Sequence, residues 1–226
     1  MSPFFLSITV AALALVNVII GGIALNYIMF RCKRPYMAVI DALVTLPLVL
    51  PPVVIGFGLL MVFSPGYAFG AWLEAHGIRI IFSYWAAVIA SSVIAFPLFY
   101  QTLRSALEAV DHDMEDVART LGASEWKIFR TISLPLAWRG FVSGAILSFC
   151  RAMGEFGATI LIAGNIPGLT RTMPLAIYTY AEAGNYDAAL TLVIYISCLT
   201  LALLCGIRLL THNGSLWGQR KEARRD

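Results

Sequence analysis

From Asp116 to Pro135 the chain reads DVARTLGASEWKIFRTISLP, a charged stretch enclosed by long apolar segments. Before and within this stretch, apolar residues recur at alternating steps of three and four, which predicts one face of an amphipathic helix: Leu107, Val110, Met114, Val117 and Leu121. Gly122 then fits a helix C-cap, and Ser124 can cap a short second helix that carries Trp126 and Phe129. The stretch therefore predicts a helix, a glycine and a second helix, which together form an elbow that faces water.

The rest of the chain is too apolar for a soluble globular protein. Of its 226 residues, 59% are hydrophobic and 13% are charged, and the mean hydropathy is +0.80. Five apolar runs reach the roughly 20 residues that a membrane-spanning helix needs: 4–30, 37–63, 83–103, 140–163 and 188–207. We therefore predict an all-α polytopic membrane protein with a single transmembrane domain over residues 1–226, in which residues 104–139 form a cytoplasmic loop. The first run has no basic n-region before it and no cleavage signature, and at 27 residues it is longer than the core of a signal peptide, so we expect it to remain as a helix.

Basic residues set the predicted orientation of these runs, because Lys and Arg favour the cytoplasmic side of a membrane. Arg79 and Arg171 lie in loops on one side and Arg151 lies within a run. The other thirteen of the 16 basic residues lie on the opposite side: Arg31, Lys33, Arg34, Arg104, Arg119, Lys127, Arg130, Arg139, Arg208, Arg220, Lys221, Arg224 and Arg225. We expect the elbow and the C-terminus to be cytoplasmic and the N-terminus to be outside.

The spacing of the elbow resembles the EAA loop of the permeases of ATP-binding-cassette (ABC) importers. The motif begins with Asp116-Val117-Ala118, and three residues separate it from Gly122. Nine residues then lie between Gly122 and Ile132, and one residue lies between Ile132 and Leu134-Pro135. Asp and Val replace the usual Glu and Ala, so Gly122 and the Ile-x-Leu-Pro ending carry most of the resemblance. In that family the loop binds the ATPase subunit, which implies an ATPase-coupling role here for these residues: Asp116, Ala118, Gly122, Ala123, Trp126, Phe129, Ile132, Leu134 and Pro135. 

Two readings of the elbow remain from the residues alone. The first is a compact knob in which Trp126 and Phe129 fill a groove on an ATPase. The second is an amphipathic hairpin that lies on the surface of the bilayer.

Three prolines interrupt the second apolar run, in LPLVLPPVVIG from Leu46 to Gly56. Pro47, Pro51 and Pro52 break the hydrogen bonds within a helix and leave carbonyl groups without partners. Lipid cannot satisfy those carbonyl groups, which are tolerated only beside protein or a water-filled cavity. The segment is therefore expected to face the interior of the helix bundle, either on a transport path or as a packing kink.

Arg151 and Glu155 place two charges within the fourth apolar run. At about 1.5 Å per residue, Arg151 lies roughly 16 Å from Gly140, which is close to the middle of the bilayer. We expect residues 154–159 to continue the same helix, so that the two side chains lie one turn apart and can pair, while small residues permit close packing. A charge at this depth is costly, so the pair either fastens helices together or contributes to an anion path.

The fourth run and the loop after it resemble the molybdate permeases among ABC importers. The resemblance is carried by RAMGEFGATILIAGNIPGLTRT from Arg151 to Thr172 and MPLAIY from Met173 to Tyr178, and it extends over nearly the whole chain, including the proline segment. Sulfate and tungstate permeases share the architecture and parts of these motifs. The resemblance implies a type I ABC-importer permease fold and ATP-driven import of molybdate by alternating access, or else of tungstate or sulfate.

The loop after the fourth run carries turn-forming residues with donors that we expect to be exposed. Asn165 and Thr170 in this loop either contact an incoming oxyanion or the protein that delivers it, or belong to an ordinary external loop. The apolar segment from Leu175 to Ala183 is too short to span a membrane, so we expect a periplasmic or re-entrant helix there.

We expect no metal, no cofactor and no enzymatic activity in this chain. There is no Gly-Lys dipeptide and hence no P-loop, so ATP and Mg²⁺ are expected on a partner ATPase. Four cysteines lie in or beside apolar runs without a close pair: Cys32, Cys150, Cys198 and Cys205. The resemblance implies a homodimer in the bacterial cytoplasmic membrane, two cytoplasmic ABC ATPase subunits and a periplasmic oxyanion-binding protein. The lipid bilayer is the remaining partner, and no nucleic acid is expected.

Two other classes of membrane protein remain open. An ion-coupled secondary carrier needs unpaired carboxylates within the membrane, for which Glu155 beside Arg151, and Asp41 near a membrane edge, are poor candidates. A passive channel has no need of the elbow.

Overall fold

The computed structural model describes residues 1–31 and 37–212, and helices dominate that part of the chain. Cys32, Lys33, Arg34 and the basic residues of the C-terminal tail lie outside the described residues. The helices are α1 (Pro3–Arg31), α2 (Met37–Val49), α3 (Pro52–Phe63), α4 (Ala68–Ala75), α5 (Tyr84–Glu108), α6 (His112–Thr120), α7 (Glu125–Ile128), α8 (Leu134–Leu136), α9 (Trp138–Met153), α10 (Gly157–Ile162), α11 (Met173–Glu182) and α12 (Tyr186–His212). The all-α fold class predicted from the composition is confirmed.

Helices α1, α5 and α12 are each long and apolar enough to cross a membrane alone. Two bent pairs pass the same test only when each pair is taken together: α2 with α3, at 114°, and the Glu125–Leu136 segment with α9, at 75°. The described part of the chain therefore has three candidate spans, or up to five if each bent pair crosses once. Short α11 covers most of the segment from Leu175 to Ala183, where a short helix was predicted.

Helix α5 forms the centre of the bundle, with α1 and α9 packed along it. The Phe99 ring of α5 is fully buried among apolar side chains of α1 and α9. A Cβ atom at Gly22 of α1 would lie 2.4 Å from this ring, so glycine makes room for the aromatic side chain. One turn further along α1, the buried Asn26 amide donates to the Gly22 carbonyl at 2.8 Å and to the Tyr100 carbonyl at 3.3 Å. Close packing and a satisfied polar group thus hold α1 on α5.

The proline segment turns the chain sharply between α2 and α3. Pro47 lies inside α2, whereas Pro51 is the extended N-cap of α3 and Pro52 is its first residue, where the missing N–H has no helical partner to lose. Only part of the break contacts protein: a Cβ atom at Gly157 of α10 would lie 3.2 Å from Pro52 Cβ, whereas Pro51 is exposed and Val49 is 82% exposed. Gly56, one turn further, lies so close to α10 that an added Cβ would come within 2.6 Å of Ala158 Cα.

The fourth apolar run is broken, so the prediction that residues 154–159 continue the helix of Arg151 is wrong. Helix α9 ends at Met153, and α10 begins only at Gly157. Glu155 occupies the break, where its Oε1 accepts a hydrogen bond from the Ala158 N–H at 2.8 Å. The carboxylate thereby satisfies a free donor at the start of α10, which stabilises an interruption that the apolar pattern does not reveal.

Candidate functional site

The elbow begins with a helix break that differs from the prediction. A single helix from Leu107 through Leu121 was predicted, but α5 ends at Glu108 and α6 begins at His112. The carboxylate of Asp111 accepts a hydrogen bond from the Asp113 N–H at 3.0 Å and caps α6. The predicted apolar face is therefore divided: Leu107 in α5 and Val110 just after it are buried, whereas Met114 and Val117 lie on the separate helix α6 and Leu121 is its C-cap.

Gly122 ends α6 in the predicted way, with a φ of +80°. The N–H of Gly122 donates to the Arg119 carbonyl at 2.9 Å, and the N–H of Ala123 donates to the Ala118 carbonyl at 3.0 Å. The Ser124 hydroxyl then caps α7 by accepting from the Lys127 N–H at 3.4 Å, which confirms the second predicted cap. Within residues 1–31 and 37–212, no atom beyond the two chain neighbours lies within 4 Å of the Cβ position at Gly122, so the elbow leaves open space there.

Apolar side chains project from the elbow into solvent. Met114 and Val117 on α6 and Leu121 at its C-cap are 54%, 59% and 82% exposed, and Trp126 on α7 is 48% exposed. We call these four residues the docking surface. Asp116 is exposed and Ala118 and Ala123 are half-buried, so these members of the predicted coupling set border it. Large apolar side chains on a charged, exposed segment are typical of a site that binds another protein or a membrane surface.

Phe129 does not belong to this surface. The prediction that its ring fills a groove on a partner is wrong for this structure, because Phe129 is fully buried. Its ring packs against Tyr27 and Phe30 of α1, with centroid distances of 5.3 and 5.6 Å. The last turn of α1 extends far enough to cover the ring, so Phe129 anchors the elbow to the bundle. Trp126 packs edge-on against Tyr27 at 4.9 Å and keeps its outer side exposed.

The end of the elbow is a continuous helical run with a π-helical turn over Phe129–Ser133, followed by α8. Ile132 and Leu134 are half-buried, whereas Pro135 is exposed. The chain then bends into α9. The Ile-x-Leu-Pro ending therefore connects the elbow to α9 and lies away from the docking surface along the chain.

Glu115 is the residue of the elbow that sequence reasoning missed. It is 2% exposed on the face of α6 opposite to the docking surface. Its Oε1 accepts a hydrogen bond from the Ser133 hydroxyl at 2.7 Å, and its Oε2 lies 3.2 Å from His112 Nδ1 and 3.6 Å from Arg119 NH2. Only the spacing of His112 and Arg119, three residues before and four after, could have indicated a satisfied carboxylate. Glu115 thus ties the start of the elbow to its end.

Replacing Glu115 with Ala should loosen the elbow. The change leaves the buried Ser133 hydroxyl without its acceptor, which costs about 1–3 kcal/mol of local stability. Hydrogen exchange of residues 112–133 should become faster, while exchange in α5 stays unchanged. Asp113→Ala is the matched control, because Asp113 is an exposed acid on the same helix. Equal hydrogen-exchange rates of residues 112–133 in the Glu115 and Asp113 variants would contradict the role of Glu115.

Arg119 joins the two arms of the elbow across Gly122. Its Nε and NH2 donate to the two carboxylate oxygens of Glu125 at 2.8 and 3.1 Å, and its NH1 donates to Asp116 at 2.6 Å. The hydrogen bond from Arg119 lowers the pKa of Glu125 below its ordinary value and raises the pKa of Arg119. Because the pKa of Glu125 is lowered, this bridge persists at neutral pH and is lost only as the pH falls through that lowered pKa.

The predicted pair of Arg151 and Glu155 forms across the break between α9 and α10. Arg151 NH1 donates to Glu155 Oε2 at 2.8 Å. The carboxylate side chain is 1% exposed and the guanidinium side chain is 32% exposed. Glu155 is therefore satisfied inside the protein, while part of Arg151 reaches an open surface.

Asn165 and Thr170 both organise the loop between α10 and α11. The Asn165 amide accepts from Arg171 Nε and donates to Thr179 Oγ1, both at 2.8 Å. Thr170 is fully buried, and its hydroxyl accepts from the Ile166 N–H at 2.9 Å. The expectation of an exposed donor at Thr170 is wrong, because the turn folds the hydroxyl inward to satisfy its own backbone.

Comparisons with known proteins agree with this architecture. A family model described as "Binding-protein-dependent transport system inner membrane component" matches residues 17–213. The "Putative molybdenum transport system permease protein YvgM" of Bacillus subtilis (strain 168) is 43% identical over 204 residues, which are 90% of each chain. The "Molybdenum transport system permease protein ModB" of Escherichia coli (strain K12) is 43% identical over 202 residues, 88% of each chain.

Solved structures give the fold. The MetNI methionine ABC transporter superposes with a TM-score of 0.72 at 16% identity and covers 92% of this chain and 93% of the other. A bacterial alginate ABC transporter superposes with a TM-score of 0.70 at 14% identity, covering 93% and 78%. The predicted type I ABC-importer permease fold is confirmed. The family match and the two relatives show that this chain, a multi-pass membrane protein, belongs to the inner-membrane components of binding-protein-dependent transport systems.

Proposed function

We propose that this chain is the permease subunit of an ATP-driven importer that moves molybdate across the cytoplasmic membrane by alternating access. The observation that carries the proposal is the docking surface, an apolar patch on a charged elbow of a membrane protein. The names of the relatives at 43% identity support molybdate as the cargo. ATP and Mg²⁺ are bound by the partner ATPase, and the permease makes and breaks no covalent bonds.

The elbow is an internally fixed unit attached to helices of the bundle, which is what transfer of movement from an ATPase to the bundle requires. An ATPase that binds the docking surface pulls on a unit fixed internally by Glu115 and Arg119. Phe129 attaches this unit to α1, and the run through α8 attaches it to α9. Movement of the ATPase is thereby transferred to the helices of the bundle.

The proposed assembly contains two copies of this chain, two cytoplasmic ATPases and a periplasmic oxyanion-binding protein. Helix α12 has no buried residue in its most apolar window, and α2 has none along its length, so a second copy and lipid have ample apolar surface to cover. The binding protein delivers the anion to the outer face, and the path follows the two-fold axis between the copies. The N-terminus lies outside and the C-terminus lies in the cytoplasm.

Tungstate and sulfate importers are the alternatives within the same class. An ion-coupled carrier is less well supported, because its coupling carboxylates should be unpaired. Asp41 accepts hydrogen bonds from Arg104 at 2.5 Å and from the Tyr100 hydroxyl at 2.8 Å. Glu155 is bound by Arg151 and the Ala158 N–H. Both carboxylates are thus engaged by protein donors.

Calorimetry on the purified periplasmic partner identifies the cargo. Molybdate is expected to bind at least about ten times more tightly than sulfate, a difference of about 1.4 kcal/mol. Tungstate is titrated in the same buffer. If the binding protein binds sulfate and does not bind molybdate, the chain would instead be assigned to a sulfate importer.

Cysteine labelling tests the proposed orientation. A cysteine at Ala123 should react with an impermeant thiol reagent only from the cytoplasmic side, because the distribution of Lys and Arg places the elbow on that side. A cysteine at Gly168, an exposed loop residue, should react only from the outside. The background is a variant in which the native cysteines are replaced by Ser or Ala. Labelling of both positions from one side would contradict the orientation.

A further inference from the structure

Arg151 has more hydrogen-bonding capacity than its carboxylate partner uses. A guanidinium carries five N–H donors. Within the described residues, Arg151 makes one hydrogen bond, from NH1 to Glu155 Oε2 at 2.8 Å. The Nε–NH2 edge, which can hold two oxygens of one anion side by side, therefore has no partner in the described protein.

The Glu155 carboxylate has a second hydrogen-bond donor besides Arg151. Its second oxygen accepts the Ala158 N–H at 2.8 Å, at the start of α10, and its side chain is 1% exposed. The carboxylate is thus held at both oxygens by the protein. In return, it fixes the guanidinium through NH1 and leaves the opposite edge free, which is the arrangement expected of a positioning residue.

The exposed part of Arg151 lies on a segment that we propose crosses the membrane. Arg151 lies thirteen residues after the start of α9 at Trp138, which at 1.5 Å per residue is about 20 Å along the helix. Its side chain is 32% exposed. A charged group at this depth is tolerated only where it meets protein or water, so this surface is part of an aqueous cavity or an interface and is not in contact with lipid.

We infer that the free edge of Arg151 contacts the tetrahedral oxyanion during its passage, with Glu155 as the positioning residue. The inference rests on the proposed function as an oxyanion importer. The fork of the guanidinium matches two oxygens of such an anion, which a lysine ammonium does not do. Because Glu155 offsets the charge of Arg151, the anion meets a nearly neutral pair that binds it weakly. Weak binding suits a path from which the anion must leave.

Uptake by proteoliposomes that contain the permease, its ATPase and the binding protein tests this inference. Arg151→Met with Glu155→Gln removes both charges together and should yield folded permease that retains the ATPase. Molybdate uptake should nevertheless fall at least about 20-fold, in line with loss of a charge-assisted bidentate contact. Arg79→Met is the matched control, because Arg79 is an arginine outside the apolar runs with a side chain 84% exposed. It should transport within about two-fold of the native chain.

Arg151→Lys supplies a readout that a purely structural role does not affect. It keeps the charge that pairs with Glu155 but loses the fork, so the permease should fold and retain the ATPase while molybdate uptake falls at least about five-fold. Native uptake by the double variant, or native uptake by Arg151→Lys, would overturn the inference. Transport of another tetrahedral oxyanion by the native assembly would refute molybdate as cargo yet leave the Arg151 test intact with that anion. Uptake of no oxyanion by the native assembly would refute both.

Discussion

Gly122→Asp should give a permease that is inserted in the membrane and no longer binds its ATPase. Gly122 has a φ of +80°, where a side chain costs about 1–2 kcal/mol of backbone energy. Apart from its two chain neighbours, no atom of the described residues lies within 4 Å of its Cβ position, so this part of the permease has room for the new side chain. On docking, however, the carboxylate would have to lose its water beside Leu121, and burying a new charge in an interface is costly. We expect the affinity for the ATPase to fall at least about 100-fold, equivalent to about 3 kcal/mol.

Two other glycines provide matched controls for this variant. Gly77 and Gly184 have φ values of +74° and +72°, and neither has an atom within 4 Å of its Cβ position. Asp at either position carries the same backbone cost and the same added charge, but away from the elbow. Both should retain the ATPase on purification and transport molybdate. ATPase retention and normal uptake in Gly122→Asp would contradict the coupling role of the elbow.

Gly56→Val should damage the packing of the proline segment on α10. A Cβ atom at Gly56 would lie 2.6 Å from Ala158 Cα and 2.9 Å from its carbonyl oxygen, so two backbones would have to separate. Overpacking of this kind costs about 1–3 kcal/mol, and more where the backbone must move. We expect the midpoint of thermal unfolding in detergent to fall by roughly 5 °C or more. Uptake should fall as well, because α10 follows directly on Glu155.

Gly58→Val is the control for packing, since it lies on the same helix two residues away. In the described part of the chain, no atom beyond the two neighbouring residues lies within 4 Å of the Cβ position at Gly58. The same added volume and the same loss of a flexible glycine should therefore be tolerated, with a thermal midpoint close to that of the native chain. Equal destabilisation by the two variants would contradict close contact between α3 and α10.

The parts of the elbow that the sequence predicts correctly are those that depend on near neighbours. Gly122 and Ser124 act through hydrogen bonds that span three to five residues, so their pattern is visible in a short stretch. The position of Phe129 depends instead on α1, about one hundred residues earlier in the chain. Nothing in its own segment distinguishes a ring that faces a partner from a ring that faces α1. The burial of Glu115 against Ser133 was missed for the same reason.

The break between α9 and α10 shows a second limit of sequence patterns. Hydrophobicity continues across residues 140–163, so the run predicts one span. What ends α9 is a local competition, in which the Glu155 carboxylate takes the Ala158 N–H, together with tight packing of α3 on α10. Polarity scales record Glu155 as a charge and do not record its capacity as a helix cap. The predicted pairing of Arg151 with Glu155 is still correct, because two residues four positions apart remain close to each other even where the helix between them is broken.

ATP-driven accumulation of radiolabelled molybdate is the most direct test of the proposed function. Proteoliposomes hold the permease and its ATPase, with the binding protein added on the outer side and ATP enclosed within. The account predicts molybdate accumulation that requires hydrolysable ATP, needs the binding protein and is abolished by Gly122→Asp. Accumulation that persists without ATP, or that Gly122→Asp leaves intact, would contradict ATP-driven import through the elbow.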